Sequence, residues 1–228
     1  MNRTKLENRT LPGYSKGEET FNMVSHIVGG GVGVVALLAC TIVAAYHQNG
    51  WGIASGAIYG FTVILLFTMS SIYHGLKPGI SKKVFQVLDH CTIFLLIAGT
   101  YTPILLGRFR EVYPAEAWII FMVIWGLAAL GIVLNAIDLK RYKIFSMAAY
   151  LGMGWMVILC APKVIAVLSN TFFMFMLLGG VFYTLGALCY GIGKKMKIKY
   201  IHSIFHIFVD AAAIMHFVGI VVFVMPAR

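Results

Sequence analysis

Charge is the first thing this chain is short of. Only 11% of its 228 residues are charged and 60% are hydrophobic, whereas a soluble domain is about a quarter charged. Acidic residues are scarcest: 8 Asp and Glu stand against 18 Lys and Arg, for a net charge of +10. That shortage excludes an ordinary soluble domain and puts the chain in the membrane class. The positive excess would point to nucleic acid in a soluble protein. Here the basic residues sit in short loops between apolar runs, so no nucleic-acid partner is expected. They read as topology signals and as anchors to anionic headgroups. Residues 1–22 hold no apolar core of the kind a signal peptide has, so no cleaved leader is expected. The four cysteines, Cys40, Cys91, Cys160 and Cys189, lie far apart inside apolar runs. Their spacing fits neither a disulfide framework nor a metal motif, and they read as small buried hydrophobes. No internal repeat, no low-complexity tract and no linker long enough for a second soluble domain is present.

What the chain has is apolar length. A membrane-crossing helix needs roughly 20 apolar residues. Seven stretches qualify, at about 24–46, 52–74, 88–106, 116–137, 144–165, 171–192 and 201–224. The expected fold class is an all-α integral membrane protein, with a polar segment over 1–22 and a seven-transmembrane helix bundle over 23–228. Gly29, Gly30, Gly31 and Gly33 cluster in the first span, where small residues let helices approach closely. Pro103, in GTYTP, is expected to kink the third span. Cytoplasmic loops are enriched in Lys and Arg. With the N-terminus cytoplasmic, the inner side collects the basic residues of 3–16, 77–83, 140–143 and 194–199, fourteen in all. The outer side keeps four: Arg108, Arg110, Lys163 and Arg228. That bias predicts a multi-pass membrane protein with its N-terminus inside and its C-terminus outside.

The few ionisable residues inside the spans are not scattered. Glu19, Asn22 and His26 open the first span, His74 closes the second, Asp89 and His90 open the third, and His202 and His206 open the seventh. In the predicted topology all of these fall at one level of the membrane, on the inner side. His202 and His206 are four apart and share a helix face. Two imidazoles at that spacing can hold one metal ion, and His74 is at the depth of a third ligand. Three protein ligands with one open position is the pattern of catalytic zinc. Asp89 is placed to accept a hydrogen bond from a metal-bound water or to orient a ligand. The alternative is a hydrogen-bonded polar cluster that fastens four helix ends together, and spacing alone leaves both open. His216 lies ten residues past His206, about 15 Å deeper at 1.5 Å per residue, so it cannot join the same ligand shell. Asp210 falls one turn past His206; intramembrane ionisable groups face the bundle interior, where it would either lie behind His206 or sit neutral in a polar cavity.

Four pieces of sequence resemble a known family: EETFNMVSH, with Glu19, Asn22, Ser25 and His26; SSIYH, with Ser70 and His74; LDHCTIFLLIAGTYTP, from Asp89 to Pro103; and HSIFHIFVDAAAIMHF, with His202, His206 and His216. From about residue 19 to its end the chain is similar to the hemolysin III proteins of bacteria. These are members of the progestin and adipoQ receptor superfamily, itself distantly related to alkaline ceramidases. The resemblance implies a seven-helix bundle with one zinc ion near the cytoplasmic face. His74, His202 and His206 would be its ligands, Asp89 would hold the zinc-bound water, and Ser70 would stand one turn before the first ligand. Asp210 departs from the apolar residue expected at its position.

Zinc held by three imidazoles brings a bound water near neutrality and polarises a carbonyl. The leading expectation is a zinc-dependent intramembrane hydrolase of a lipid amide or ester, ceramidase-like, with that water as nucleophile, Asp89 as general base then acid, and membrane lipids as partners. Ser70 would donate a hydrogen bond there or back-bond to its own helix. A receptor-like membrane sensor with structural zinc is the first alternative; the outer loops are too brief to hold a large protein ligand. A pore-forming cytolysin is the second, although no polar stripe runs the length of any helix.

Overall fold

The first helix starts where the sequence supplies a cap. Ser15 Oγ accepts from the Glu18 backbone N–H, and the Glu18 carboxylate accepts from the Ser15 N–H at 2.8 Å, a reciprocal capping box. From there α1 runs over Lys16–Tyr46. It is followed by α2 (Gly50–Gly75), α3 (Ile80–Val112), α4 (Pro114–Asp138), α5 (Lys143–Val167), α6 (Asn170–Gly193) and α7 (Ile201–Val224). Among the described residues these seven helices are long and apolar enough to cross a membrane, and no strand is present. The computed structural model describes residues 3–196 and 198–226, apart from the side chains of Lys194 and Lys195. The charges of Lys194, Lys195, Lys197 and Arg228, which enter the orientation count above, therefore lie outside the described residues.

The helices pack as an up-and-down bundle because each loop is only a few residues long. α1 lies on α2, α2 on α3, α3 on α4 and α6 on α7, and α7 returns to α1. α3 is the axis: 78% of its most apolar stretch is buried, against 17 to 50% in the other six. The rest turn apolar faces outward, as at Ile42, Ile119 and Leu159. Between α1 and α2 the backbones nearly touch. A Cβ on Gly60 would collide with the Leu37 backbone, and one on Gly33 would meet the Ile64 backbone nitrogen at 3.0 Å. The small-residue contact read from the first span is thus made by Gly33 and by Gly29, which lies against the Phe67 ring, with Gly60 as their counterpart on α2, while Gly31 faces open space.

Two irregularities depart from the sequence reading. α3 passes through Pro103 as helix; the break comes one turn later, where a π-helical segment over Leu105–Phe109 carries the non-helical Gly107 (φ −76°, ψ −140°). α5 is not a continuous α-helix either. Its middle, Trp155–Cys160, is 3-10, because a neighbour interrupts the ladder. The Tyr101 hydroxyl of α3 donates to the Gly154 carbonyl at 3.0 Å and accepts from the Val157 N–H at 2.8 Å, an inserted side chain of the kind that bends helices.

One end of the bundle is polar and tied together. The segment ahead of α1 crosses it: Thr4 N–H donates to Asp138, Arg9 donates to the Ile137 carbonyl at 2.8 Å, and Lys83 donates to the Glu7 carbonyl. Glu18 Oε1 accepts from the backbone N–H of Tyr200, the residue before α7, at 2.8 Å. These links bring the starts of α1, α3 and α7 and the end of α2 to one level. At the far end the contacts are peripheral, as where Arg110 stands 4.5 Å over the Trp51 ring and Lys163 pairs with Glu116.

Candidate metal centre

Glu19, Asn22 and His26 are spaced i, i+3 and i+7 on α1, which puts them on one face. That face meets the last two turns of α2, with Ser70 and His74, and the first two of α7, with His202 and His206. Three imidazoles converge there. The Nε2 atoms of His202 and His206 face each other at 3.2 Å. The His74 ring centroid lies 5.4 Å from that of His202 and 5.0 Å from that of His206. One ring nitrogen from each of the three falls within 4.8 Å of the others.

The outer nitrogens decide what the inner ones can do. His74 Nδ1 stands 2.6 Å from Glu19 Oε2; a carboxylate only accepts, so Nδ1 carries the proton and Nε2 is a bare acceptor. That Nε2 is buried and has no hydrogen-bond partner. His206 Nδ1 lies 3.4 Å from Ser25 Oγ, whose own proton goes to the Asn22 carbonyl at 3.1 Å. The Ser25 oxygen is left to accept, so the proton again sits on the outer nitrogen. Asn22 is itself fixed, its Oδ1 accepting from Ser203 at 2.7 Å. Buried polar atoms are almost always satisfied. An orphaned acceptor beside two facing ring nitrogens is what a cation resolves. Tetrahedral zinc with Zn–N of about 2.0–2.1 Å sets its ligand nitrogens about 3.3 Å apart, close to the observed 3.2 Å. The donor set fits zinc.

The other residues singled out in the sequence fall into three groups. Asp89 on α3 borders the site: its carboxyl interacts with the Ser70 hydroxyl and with His74, and its side chain is 15% exposed. His26 packs behind the three-histidine cluster, its ring stacked on His206 at 3.7 Å and edge-on to Phe67, with both ring nitrogens buried and unpaired. Asp210 lies deeper, its Oδ1 buried without a partner against Gly29 and its carboxyl near Tyr183. His90 and His216 do not join the three imidazoles. The His90 ring bonds the Gln86 carbonyl of its own helix at 2.9 Å and lies 3.7 Å from Asp89 Oδ2, with its side chain 39% exposed, and His216 Nε2 meets the Met176 carbonyl on α6 at 3.2 Å.

Sequence reasoning missed three aromatic residues and a lysine. Tyr14 lies parallel on His202, with ring centroids 4.9 Å apart, and covers the site from the polar end. Burial raises its phenol above the usual range, with Tyr190, Tyr73, Glu19 and Asp89 adding to the rise, so Tyr14 stays a neutral hydrogen-bond donor. Tyr73 and Tyr190 flank His74 and His202. Lys82, 3% exposed, holds Glu19 at 2.9 Å. None carries a sequence signal of its own; each is one more Tyr or Lys at a helix end.

Fold and site together define a seven-helix membrane protein with a cluster of three histidines, two of them buried and one half-buried, at one end. The chain belongs to the Haemolysin-III related family, whose pattern matches residues 14–217. It is 35% identical over 192 residues to the Hemolysin-3 homolog of Bacillus subtilis, covering 84% of this chain and 87% of that one. It is 32% identical over 209 residues to Hemolysin-3 of Bacillus cereus, covering 92% and 93%. Monocyte to macrophage differentiation factor of Homo sapiens matches at 28% over 195 residues, 82% and 77% of the two chains. The progestin and adipoQ receptor resemblance is consistent with these matches. With its seven apolar helices and bacterial relatives, the protein is a multi-pass integral protein of the bacterial plasma membrane.

Proposed function

We propose that the protein is a zinc-dependent intramembrane hydrolase of a lipid amide or ester, ceramidase-like, with its N-terminus and metal site on the cytoplasmic side. The observation that carries this is the outward-proton, inward-acceptor arrangement of the histidines: the Glu19 carboxylate and the Ser25 hydroxyl oxygen hold the outer nitrogens of His74 and His206, and the inner nitrogens face one another. Zinc bound by His74, His202 and His206 would polarise the scissile carbonyl and bring water near neutrality. The remaining work falls to the chain's own groups. The Asp89 carboxylate, held by Ser70, takes the proton from the attacking water and returns it to the leaving nitrogen or oxygen, general base then acid. The Tyr14 phenol, neutral and stacked on His202, closes the site against bulk water.

A membrane lipid suits the surroundings. Between α5 and α6 a groove of about 600 Å³ is lined by Ile144, Met147 and Leu151 with Lys143 at its edge. Its wall includes Tyr190, whose ring packs on His202 at 5.1 Å. An acyl chain fits the apolar lining, and an anionic headgroup suits the lysine. The test is turnover of lipid amides and esters by purified protein, with fatty-acid release followed by mass spectrometry. Asp89→Asn should keep its zinc and lose about 10²–10⁴-fold in rate. Turnover at the wild-type rate by that variant would remove Asp89 from the reaction.

A further inference from the structure

Lys82 is the most deeply buried lysine among the residues whose side chains are described. It stands in the first turn of α3 at 3% exposure. Lysines are almost never fully buried unless paired, and an ammonium has three N–H donors to satisfy. Lys82 satisfies all three. It donates to Glu19 Oε1 at 2.9 Å, to the Leu76 carbonyl at 3.0 Å and to the His74 carbonyl at 3.4 Å. It also lies 5.0 Å above the Tyr73 ring.

The two carbonyls belong to the end of α2, where a cation is favourable anyway. A capping role alone would account for them. It would not account for Glu19. That carboxylate is divided: one oxygen takes Lys82, and the other takes the Nδ1–H of His74 at 2.6 Å. With Oε1 pinned, Oε2 is aimed at the ring. Lys82 thus reaches the His74 ring through the carboxylate that sets its tautomer, while its contact with the His74 backbone carbonyl belongs to the helix cap. Groups that orient a ligand histidine from behind are worth about 10–100-fold in metal affinity.

We infer that Lys82 is a positioning residue for the metal site, acting through Glu19 to hold the His74 imidazole with its bare nitrogen toward His202 and His206. This rests on the zinc reading above. It makes one helix end from each of α1, α2 and α3 part of a single relay, none of whose first two members touches the ion.

The test is zinc affinity, measured on the full chain in detergent by competition with a chromophoric chelator. Lys82→Met and Glu19→Gln should each bind zinc about 10–100-fold more weakly than wild type. The double variant should be no weaker than Glu19→Gln alone, because the lysine acts through the carboxylate. Lys82→Gln keeps donors for the α2 carbonyls and is read in the same way should Lys82→Met fail to fold. If these Lys82 variants melt earlier but bind zinc as wild type does, the lysine is a cap only and the inference is overturned. If the double variant loses the product of the single losses, the relay is overturned. A wild type that takes up no zinc would remove the metal reading itself, a result distinct from either.

Discussion

The two halves of α7 put the same residue type to different uses. In the first half, His206 is buried among α1, α2 and α7, stacked on His26, with Nε2 turned toward another imidazole. In the second half, His216 is also inside the bundle, but it packs on Tyr183 and against Gly179, and its Nε2 meets the Met176 carbonyl at 3.2 Å. One histidine has its outer nitrogen fixed and its inner nitrogen aimed at a second imidazole. The other spends itself on a backbone oxygen and fastens α6 to α7. Burial of an ionisable group in a membrane helix is therefore not what makes a site. What makes it is a partner on the far side of the ring that leaves the near side free.

That contrast can be attacked directly. His206→Ala should take zinc from about one equivalent to near zero, a loss of more than about 100-fold in affinity, because three ligands become two; metal analysis of purified protein reads it, and His74→Ala should behave alike. His216→Ala should leave zinc content untouched. It should lower stability by about 1–3 kcal/mol through the lost hydrogen bond and the space left beside Gly179, seen as an earlier thermal transition. Retention of zinc by His206→Ala, or its loss in His216→Ala, would reverse the assignment of the two halves. Gly60→Val, at the α1–α2 crossing, should cost about 1–3 kcal/mol from overpacking with zinc content unchanged. Smallest of all, Glu116→Gln breaks the exposed pair with Lys163 at the far end. It should shift neither melting temperature nor zinc content, since exposed ion pairs contribute little.

The contrast also explains what could be read in advance. Apolar length reveals the seven helices because the bilayer requires it. The i, i+4 spacing of His202 and His206, with His74 at the matching depth, reveals the cluster because helix geometry is periodic. The start of α3 was hidden: the apolar stretch begins near residue 88, yet the helix begins at Ile80. Its first turns are polar because Lys82 pairs with Glu19, a contact between helices that no local pattern encodes. The fate of His90 was hidden too. One residue of register separates it from Asp89, and that single step leaves its ring with the Gln86 carbonyl and the edge of the Asp89 carboxyl rather than with the three imidazoles. The same holds for Tyr101, whose hydroxyl rewrites the middle of α5 from a different helix.

The segment from Arg3 to Ser15 has a practical side. It is laced to the α4–α5 turn and to α3, and it ends by laying Tyr14 across His202. Anything grafted onto the front of the chain, such as a purification handle, pulls on the roof of the histidine pocket. A handle joined behind α7 emerges at the opposite end of the bundle and leaves that roof alone.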